Sequence, residues 1–292
     1  MRHAEHFEQH RSLLFTIAYE ILGTAADAED AVQDSYPSWA SVNLSEVRDP
    51  RAFLVRIVTR RALDVLRTQQ RRRESYVGPW LPEPIATDGD ADAELVEYVS
   101  MAMLLVLETL SPVERAVFVL REVFDFPYDD IANVVGKSTA AVRQIAHRAR
   151  EHVQARRQRF TSDTQRATEV TGAFLLAAHQ GDIAALVDML APDVVAISDG
   201  GGVVSAARRP VHGADRVARF LAGLTSKANR APAEVTMDFA SCNGLPALLV
   251  REDGRLSLVL LVEVAEGVIH TLYLLRNPEK LHRFGHTPQI AR

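Results

Sequence analysis

Apolar residues recur at three- and four-residue spacing over most of the first 150 positions, and the spacing shortens to alternating or continuous runs over much of the last hundred. From residue 8 to 22, Leu13, Leu14, Ile17, Ala18, Ile21 and Leu22 form one helical stripe, which Gly23 stops. Thr24 is placed to cap a second helix built on Ala28, Ala31 and Val32. Asp49 followed by Pro50 predicts a third helix, carrying Phe53, Leu54, Ile57, Val58, Ala62, Val65 and Leu66. Helices resume at about Ala93 to Glu108, and Ser111 with Pro112 starts another that reaches Val123. Tyr128 to Arg150 then reads as two short helices around a tight turn. After Arg159 the texture changes: helices at about Arg166 to Gln180, Ile183 to Leu190 and Ala214 to Leu224 accompany strand-like runs. The runs are Val194 to Ser198, Glu234 to Ala240, Ala247 to Arg251, Leu256 to Val264 and Val268 to Leu275, with turns at Asp253-Gly254 and Glu266-Gly267. This pattern predicts a separate α+β domain of antiparallel strands.

The outward positions of these helices say more than the buried ones. Between Tyr128 and Arg150, Ile131, Ala132 and Val135 supply the apolar face of the first helix and Gly136 a left-handed turn. Ser138 or Thr139 caps the second helix, which buries Val142, Ile145, Ala146 and Ala149. Thr139, Ala140, Arg143, Gln144, His147 and Arg148 point outward. A face of short polar residues followed by Arg and Gln suits a recognition helix in a DNA major groove, and the alternative is a surface helical hairpin. The third helix exposes Arg56, Arg60, Arg61 and Arg67 and runs on into Gln69, Gln70 and Arg71 to Arg73, as phosphate neutralisation requires. The second helix carries Asp27, Glu29, Asp30 and Asp34 on its outer side, either a docking surface or a solvated acidic face.

Charge is segregated more sharply than the net value of −5 over 292 residues suggests. From Arg56 to Arg73 there are seven Arg and one acid, from Glu74 to Glu114 nine acids and no Lys or Arg, and from Arg143 to Arg159 six Arg and one acid. Two basic blocks therefore flank an acidic one. The acidic block contains YVGPWLPEPIATDGDAD, whose three prolines and lack of periodicity mark a linker, although Trp80 and Leu81 are apolar for a flexible spacer. The one cysteine, Cys242, excludes an internal disulfide and a cysteine-rich metal site, and it reads as a small core hydrophobe. No signal segment and no membrane-length apolar run are present, so a cytoplasmic location without a membrane partner is expected.

The residues AEDAVQD (28 to 34), FLVRIVTRRALDVLR (53 to 67) and the helix-turn-helix together resemble an RNA polymerase sigma factor of the extracytoplasmic-function group. That resemblance implies that Asp27, Glu29, Asp30, Gln33 and Asp34 contact core RNA polymerase at the β′ clamp, with the β flap as a further contact of the factor. It implies that Arg60, Arg61 and Arg67 contact the minus-ten promoter element, and that Thr139, Arg143, Gln144 and His147 lie at the minus-thirty-five element. Where many members carry an Arg-Asn pair, this chain has Thr59-Arg60.

The C-terminal part resembles a SnoaL-like domain of the NTF2-like superfamily, a curved, cone-shaped sheet closed by helices. WLPEP (80 to 84), DGGG (199 to 202) and NPEKL (277 to 281) look like motifs of the sigma factors that carry such an extension. The fold class implied is multidomain: two all-α sigma domains, a region 2 bundle at 1–74 and a region 4 helix-turn-helix at 99–160. An acidic linker at 75–98 joins them, and an α+β SnoaL-like domain follows at 165–286. The resemblance implies regulation in cis with no separate anti-sigma factor. The expected regulatory contact joins Trp80, Leu81 and Pro82 to Asp199, Gly200, Gly201 and Gly202 and to Asn277, Pro278, Lys280 and Leu281. No cofactor and no metal are implied, and a small ligand in the SnoaL-like cavity is possible.

Two other functions fit parts of the chain. An enzyme would use Asp199, His212, Asp238 or His270 as a general acid or base, but no spacing singles out a pair, and Asp199 reads more simply as a turn residue. A repressor or activator that acts without polymerase would use the helix-turn-helix. It would leave the acidic helix and the Arg helix without a joint task.

Overall fold

A computed structural model describes residues 3–73, 75–87, 93–156, 164–228, 234–282, 284–285 and 290–291. The side chains of Gln70 to Arg73 lie outside the described residues. The chain forms two compact units, Met1–Ser75 with Thr87–Arg157 and Gly285–Arg292, and Tyr76–Ala86 with Gln158–Phe284. The stretch expected to be one linker is thus divided: Tyr76–Ala86 belongs to the second unit.

The first unit opens with α1 (His3–Leu22), α2 (Ala25–Ala40), a 3-10 turn (Leu44–Glu46) and α3 (Pro50–Arg73). These three helices pack through fully buried Leu14, Ile17, Ile21, Leu54 and Val58, each contributing roughly 1.5–3 kcal/mol. Asp49 caps α3, accepting from the Ala52 amide at 3.1 Å. Thr24 stands at the N-cap of α2 but makes no cap hydrogen bond, because its hydroxyl donates to the Asp27 carboxylate instead. The helices resume as α4 (Ala93–Tyr98) and α5 (Met101–Leu107), a pair broken at Ser100 rather than one continuous element, since Ser100 caps α5 through the Met103 amide.

A capping box of Ser111 and Glu114 starts α6 (Pro112–Phe118), and these hydrogen bonds hold the Glu114 carboxyl below its ordinary range. The helix expected to continue to Val123 widens instead into a π-turn over Val119–Val123. Asp125 at φ 53 ends that turn, and the Phe126 amide reaches back to the Leu120 carbonyl at 2.9 Å. The last helices of the unit are α7 (Tyr128–Val135) and α8 (Thr139–Arg156). In α7 the buried residues are Ile131, Ala132 and Val134, with Val135 only half-buried.

Arg115 on α6 is buried and binds α1 and the end of α5 at once. Its Nε donates to the Glu20 carbonyl at 2.7 Å, and its Nη1 pairs with the Glu108 carboxylate. Burial pushes its pKa down, and the charge of Glu20 opposes that shift.

The second unit contains α9 (Thr164–Gln180), α10 (Ile183–Met189), β1 (Leu190–Asp199), β2 (Val211–His212), α11 (Ala214–Ala228), β3 (Val235–Cys242), β4 (Leu245–Glu252), β5 (Arg255–Ala265), β6 (Val268–Leu275) and α12 (Pro278–Leu281). Its sheet runs β2-β1-β6-β5-β4-β3, antiparallel except for the parallel pair β1 and β6. That pair departs from the antiparallel pattern the sequence predicts. The 200–267 excursion between the two strands holds a loop, the short β2, α11 and the meander β3–β5, and it is long enough to return the chain in the same direction. Phe174, Leu186, Val217, Leu221, Leu260, Val262, Leu272 and their neighbours join α9, α10 and α11 to the sheet in one apolar core. Register shifts in β4 at Val250/Arg251 and in β5 at Glu263/Val264 are irregularities of the kind that bend a sheet.

Replacing Arg115 by Ala should destabilise the protein by about 3–5 kcal/mol, because it strips a buried ion pair of one partner. Ser111→Ala should cost about 1 kcal/mol, the loss of one helix cap. Urea unfolding followed by circular dichroism separates these magnitudes. Equal midpoints for the two variants would show that Arg115 is not a structural link.

Candidate nucleic-acid interface and linker clasp

Gly136 ends α7 in the left-handed region, at φ 67, where its amide and that of Lys137 both donate to the Ala132 carbonyl. Ser138 caps α8 through the Ala141 amide at 3.2 Å. Thr139 is half-buried and donates to the Asp129 carboxylate at 2.6 Å, so the turn uses its hydroxyl locally. With Val142, Ile145, Ala146 and Ala149 buried, α8 exposes Ala140, Arg143, Gln144, His147 and Arg148. Arg143 lies 5.6 Å from the centroid of the Tyr128 ring, and His147 stands 3.5 Å from Glu151. Arg150 is engaged elsewhere: its guanidinium donates to both oxygens of Glu122, at 2.8 and 2.6 Å, which raises its pKa and ties α8 to the π-turn.

On α3 the arginines expected to meet DNA are partly engaged within the unit. Arg60 donates from Nε to the Val134 carbonyl at 3.1 Å and from Nη2 to the Asn133 carbonyl at 2.5 Å. Those are terminal carbonyls of α7, the negative end of its dipole, so Arg60 caps the first helix of the helix-turn-helix. Arg61 pairs with Asp34 on α2, each about half exposed, which joins an expected promoter contact to an expected polymerase contact. Arg67 pairs with Asp64 at 2.9 Å in the open. Thr59, at the position where many members carry the first residue of an Arg-Asn pair, is fully buried. Among the acids of α2, Asp27 accepts from Thr24 and Gln69, Glu29 is half-buried, and Asp30, Gln33 and Asp34 are exposed. A groove of about 350 Å³ between α3 and α7 is lined in part by Arg48, Asp49, Phe53, Arg56, Phe126 and Asn133.

In the second unit one buried carboxylate gathers three separate stretches of chain. Asp199, at the end of β1, is fully buried and accepts four hydrogen bonds. They come from the Tyr76 hydroxyl at 2.6 Å, the Gly201 amide at 3.0 Å, the Leu81 amide at 2.9 Å and Lys280 Nζ at 2.7 Å. Lys280 also donates to the Leu81 carbonyl and lies 4.2 Å from the Trp80 ring centroid, a cation–π contact. Asn277 donates to the Tyr76 hydroxyl at 2.9 Å while its own oxygen caps α12 through the Glu279 amide. Burial, then the hydrogen bond to Asp199, raises the Tyr76 pKa and keeps the hydroxyl protonated as a donor.

The glycines of the 199–202 loop are required by close approach. A Cβ on Gly201, at φ 64, would fall 2.6 Å from the Asn277 side chain, and one on Gly200 would fall 2.5 Å from the Val204 carbonyl oxygen. Leu81, Pro82, Glu83, Pro84 and Ile85 are all buried. Farther along, Ile85 exchanges hydrogen bonds with Asn243 at 3.0 Å each way, and Ala86 forms an isolated bridge with Cys242.

All eleven residues expected in this contact lie in or beside it, with Pro278 at the first position of α12. Sequence reasoning missed Tyr76, Asn243 and Arg276. Tyr76 offered one signal, a hydroxyl at the edge of an apolar motif in an otherwise polar stretch. Asn243 has φ 51, a turn conformation that Asn tolerates. Arg276 donates to the Ser205 carbonyl at 2.6 Å and its amide to the Asp199 carbonyl at 2.8 Å.

The groups considered for an enzyme are dispersed. Asp199 is saturated by the clasp, and His212 is exposed on β2 at one sheet edge. Asp238 is exposed on β3 at the other edge, 3.8 Å from Arg251, and His270 is on β6 at the end of the strand away from Asp199. Among the described residues no cluster of His, Cys, Asp and Glu could hold a metal ion. Among the same residues no helix is long and apolar enough to cross a membrane.

Family models match two stretches of the chain, Sigma-70 region 2 over residues 6–72 and Sigma-70, region 4 over residues 100–153. The extracytoplasmic-function (ECF) RNA polymerase sigma factor SigJ of Mycobacterium tuberculosis (strain ATCC 25618 / H37Rv) is 37% identical, over 94% of this chain and 91% of its own. The probable ECF RNA polymerase sigma factor SigI of the same species is 33% identical over 93% of this chain and 92% of its own. The crystal structure of M. tuberculosis SigJ superposes with a TM-score of 0.75 at 33% identity, covering 97% of this chain and 99% of that one. Two sigma-70 regions in order, with identity to an extracytoplasmic-function sigma factor over nearly the whole length, place this chain in the extracytoplasmic-function group of sigma-70 RNA polymerase sigma factors.

Proposed function

We propose that the chain is a cytoplasmic initiation factor that binds core RNA polymerase and directs it to promoters, and that its SnoaL-like unit regulates it in cis without a separate anti-sigma factor. In this reading Asp27, Glu29, Asp30, Gln33 and Asp34 meet polymerase. Arg60, Arg61 and Arg67 meet the minus-ten element, and Thr139, Arg143, Gln144 and His147 meet the minus-thirty-five element. The factor acts by binding rather than catalysis, which fits the dispersal of its titratable groups over both sheet edges and the clasp. The domain division follows the same reading, with region 2 at 1–74 and region 4 at 99–160.

The observation that carries the regulatory part is the four-donor clasp at Asp199. Between α3 and α4 about 20 residues could stretch to ~65 Å if free. Tyr76–Ala86, the middle of that stretch, belongs to the second unit and is not free to extend. Elements ~25 base pairs apart lie ~85 Å apart along DNA at 3.4 Å per pair. Two readers joined through Arg60 and Arg115 cannot span that distance, so promoter binding requires α3 to part from α7. The clasp sets how far they can part.

Run-off transcription with core polymerase on a promoter library is the direct test, comparing the full chain with Trp80→Ala and with a chain ending before Asn277. Changed promoter choice or changed output is expected. Unaltered transcription and polymerase binding in both variants would end the cis-regulatory reading.

Cys242 provides a second measurement. Burial pushes its thiol up to about 12, so at pH 8 roughly one molecule in ten thousand carries the reactive thiolate. Slow labelling by a thiol reagent is expected in the intact chain, with faster labelling in Tyr76→Phe and Lys280→Met as the linker lifts from Cys242. Equal rates in all three would show that the clasp does not hold the linker there. In the upstream element, Arg143→Ala should relax sequence preference at a cost of about 1–3 kcal/mol. A uniform loss on every sequence would instead assign Arg143 to a phosphate.

A further inference from the structure

The Arg-rich surfaces of the first unit are absorbed by promoter reading, but the second unit carries one of its own. Between residues 200 and 226 the sequence holds Arg208, Arg209, Arg216 and Arg219 against the single acid Asp215. The two pairs flank β2, one on each side along the chain. Arg208 and Arg209 immediately precede Pro210 and β2, and β2 pairs with β1 through His212 and Val195. The Gly213 amide bonds the Val194 carbonyl at 2.9 Å, and α11 begins at the next residue.

On α11 the apolar positions Val217, Ala218 and Leu221 are buried in the core, which leaves Arg216 and Arg219 one turn apart on the exposed side with Gly223 and Ser226 beyond. Arg219 stands 3.9 Å from Asp215, with both side chains more than 70% exposed, a pair that screening makes worth little. Among the described residues no ion pair or side-chain hydrogen bond engages Arg208, Arg209 or Arg216. With Arg208 and Arg209 added, this part of the chain carries four arginines to one acid, Asp215, whereas an ordinary solvated face mixes the two signs more evenly.

We infer that the Arg208–Arg219 surface of the SnoaL-like unit, formed by the loop before β2 and the exposed face of α11, binds backbone phosphates of DNA flanking the promoter. The inference rests on the initiation reading above. Guanidinium forks match phosphate oxygens bidentately and release counterions from duplex DNA. In a chain of net charge −5, four arginines set against the single carboxylate of Asp215 form a place where a polyanion is attracted rather than repelled. Once regions 2 and 4 hold a promoter, the tethered unit sees DNA at high effective concentration, so a few weak phosphate contacts suffice. Contacts to phosphates carry no base information, so this contact adds affinity without sequence preference.

The test uses holoenzyme assembled from core polymerase and the full chain, bound to a promoter fragment at several potassium chloride concentrations. The triple variant Arg209→Glu, Arg216→Glu, Arg219→Glu is compared with wild type and with Arg255→Glu, an exposed arginine at the β4–β5 turn. At low salt the triple variant should bind at least ten-fold more weakly. Its plot of log affinity against log salt should be shallower by about 0.9 for each phosphate that it no longer neutralises. The ratio between matched and mutated promoter elements should stay unchanged.

Affinity and slope equal to those of Arg255→Glu would overturn the inference. So would a loss that appears as weaker binding to core polymerase in the absence of DNA, which would assign the surface to an acidic protein partner. If thermal unfolding shows the triple variant to be damaged, the same three positions changed to Gln decide the question by the same slope. Wild-type holoenzyme failing to select the promoter would sink the initiation reading itself, an outcome distinct from either.

Discussion

The Asp199 carboxylate is the interaction on which the second unit's hold on the linker depends. A buried charge is tolerated only when paired and hydrogen-bonded, and removing one partner leaves a desolvated ion that costs several kcal/mol. Asp199 meets that condition with four donors drawn from Tyr76, Leu81, Lys280 and its own loop at Gly201. The Leu81 amide cannot leave without exposing the carboxylate or depriving it of a donor, so the linker is bound by a nearly all-or-none contact. The glycines, Asn277 and the Trp80 ring serve the same end, letting backbone and ammonium approach closely enough to complete the set.

The first unit contains polar contacts of two different kinds. Arg115 is a buried link whose loss is costly in any state that keeps it dry. Arg61 with Asp34 and Arg67 with Asp64 are half-exposed or exposed pairs, worth about 0–1 kcal/mol each and open to exchange for phosphate. Arg60 lies between these cases. It caps carbonyls that water could otherwise solvate, so its bonds hold α7 against α3 while remaining replaceable by another anionic partner.

Much of this was legible in the chain because local physics decides it. Asp49-Pro50, Ser111-Pro112 and Ser138 start helices through side-chain caps that need only neighbouring residues, and Gly136 stops α7 because a left-handed residue costs it nothing. Where local logic failed, a competing partner prevailed. Thr24 gave up its cap for the nearby Asp27 carboxylate. Ser100 broke a predicted helix by capping α5, and the segment after Phe118 widened into a π-turn. The parallel pairing of β1 with β6 was hidden because the strands are separated by a long excursion and neither sequence records its neighbour.

The sequence by itself determined most helix starts and stops, the exposed arginine and acid faces and the helix-turn-helix, since each follows from residue spacing and chemistry within a few turns of chain, while the three short motifs stood out by resemblance to a family. Tertiary structure alone decided which polar groups are available. Asp199 reads as a turn residue and is a buried hub, Arg60 reads as a free cation and is a helix cap, and the linker reads as a spacer and is half part of a folded unit. The physical reason is that desolvation and hydrogen-bond partnership belong to the assembled surroundings of a group, and residues 76, 81, 199 and 280 become neighbours only when the chain has folded.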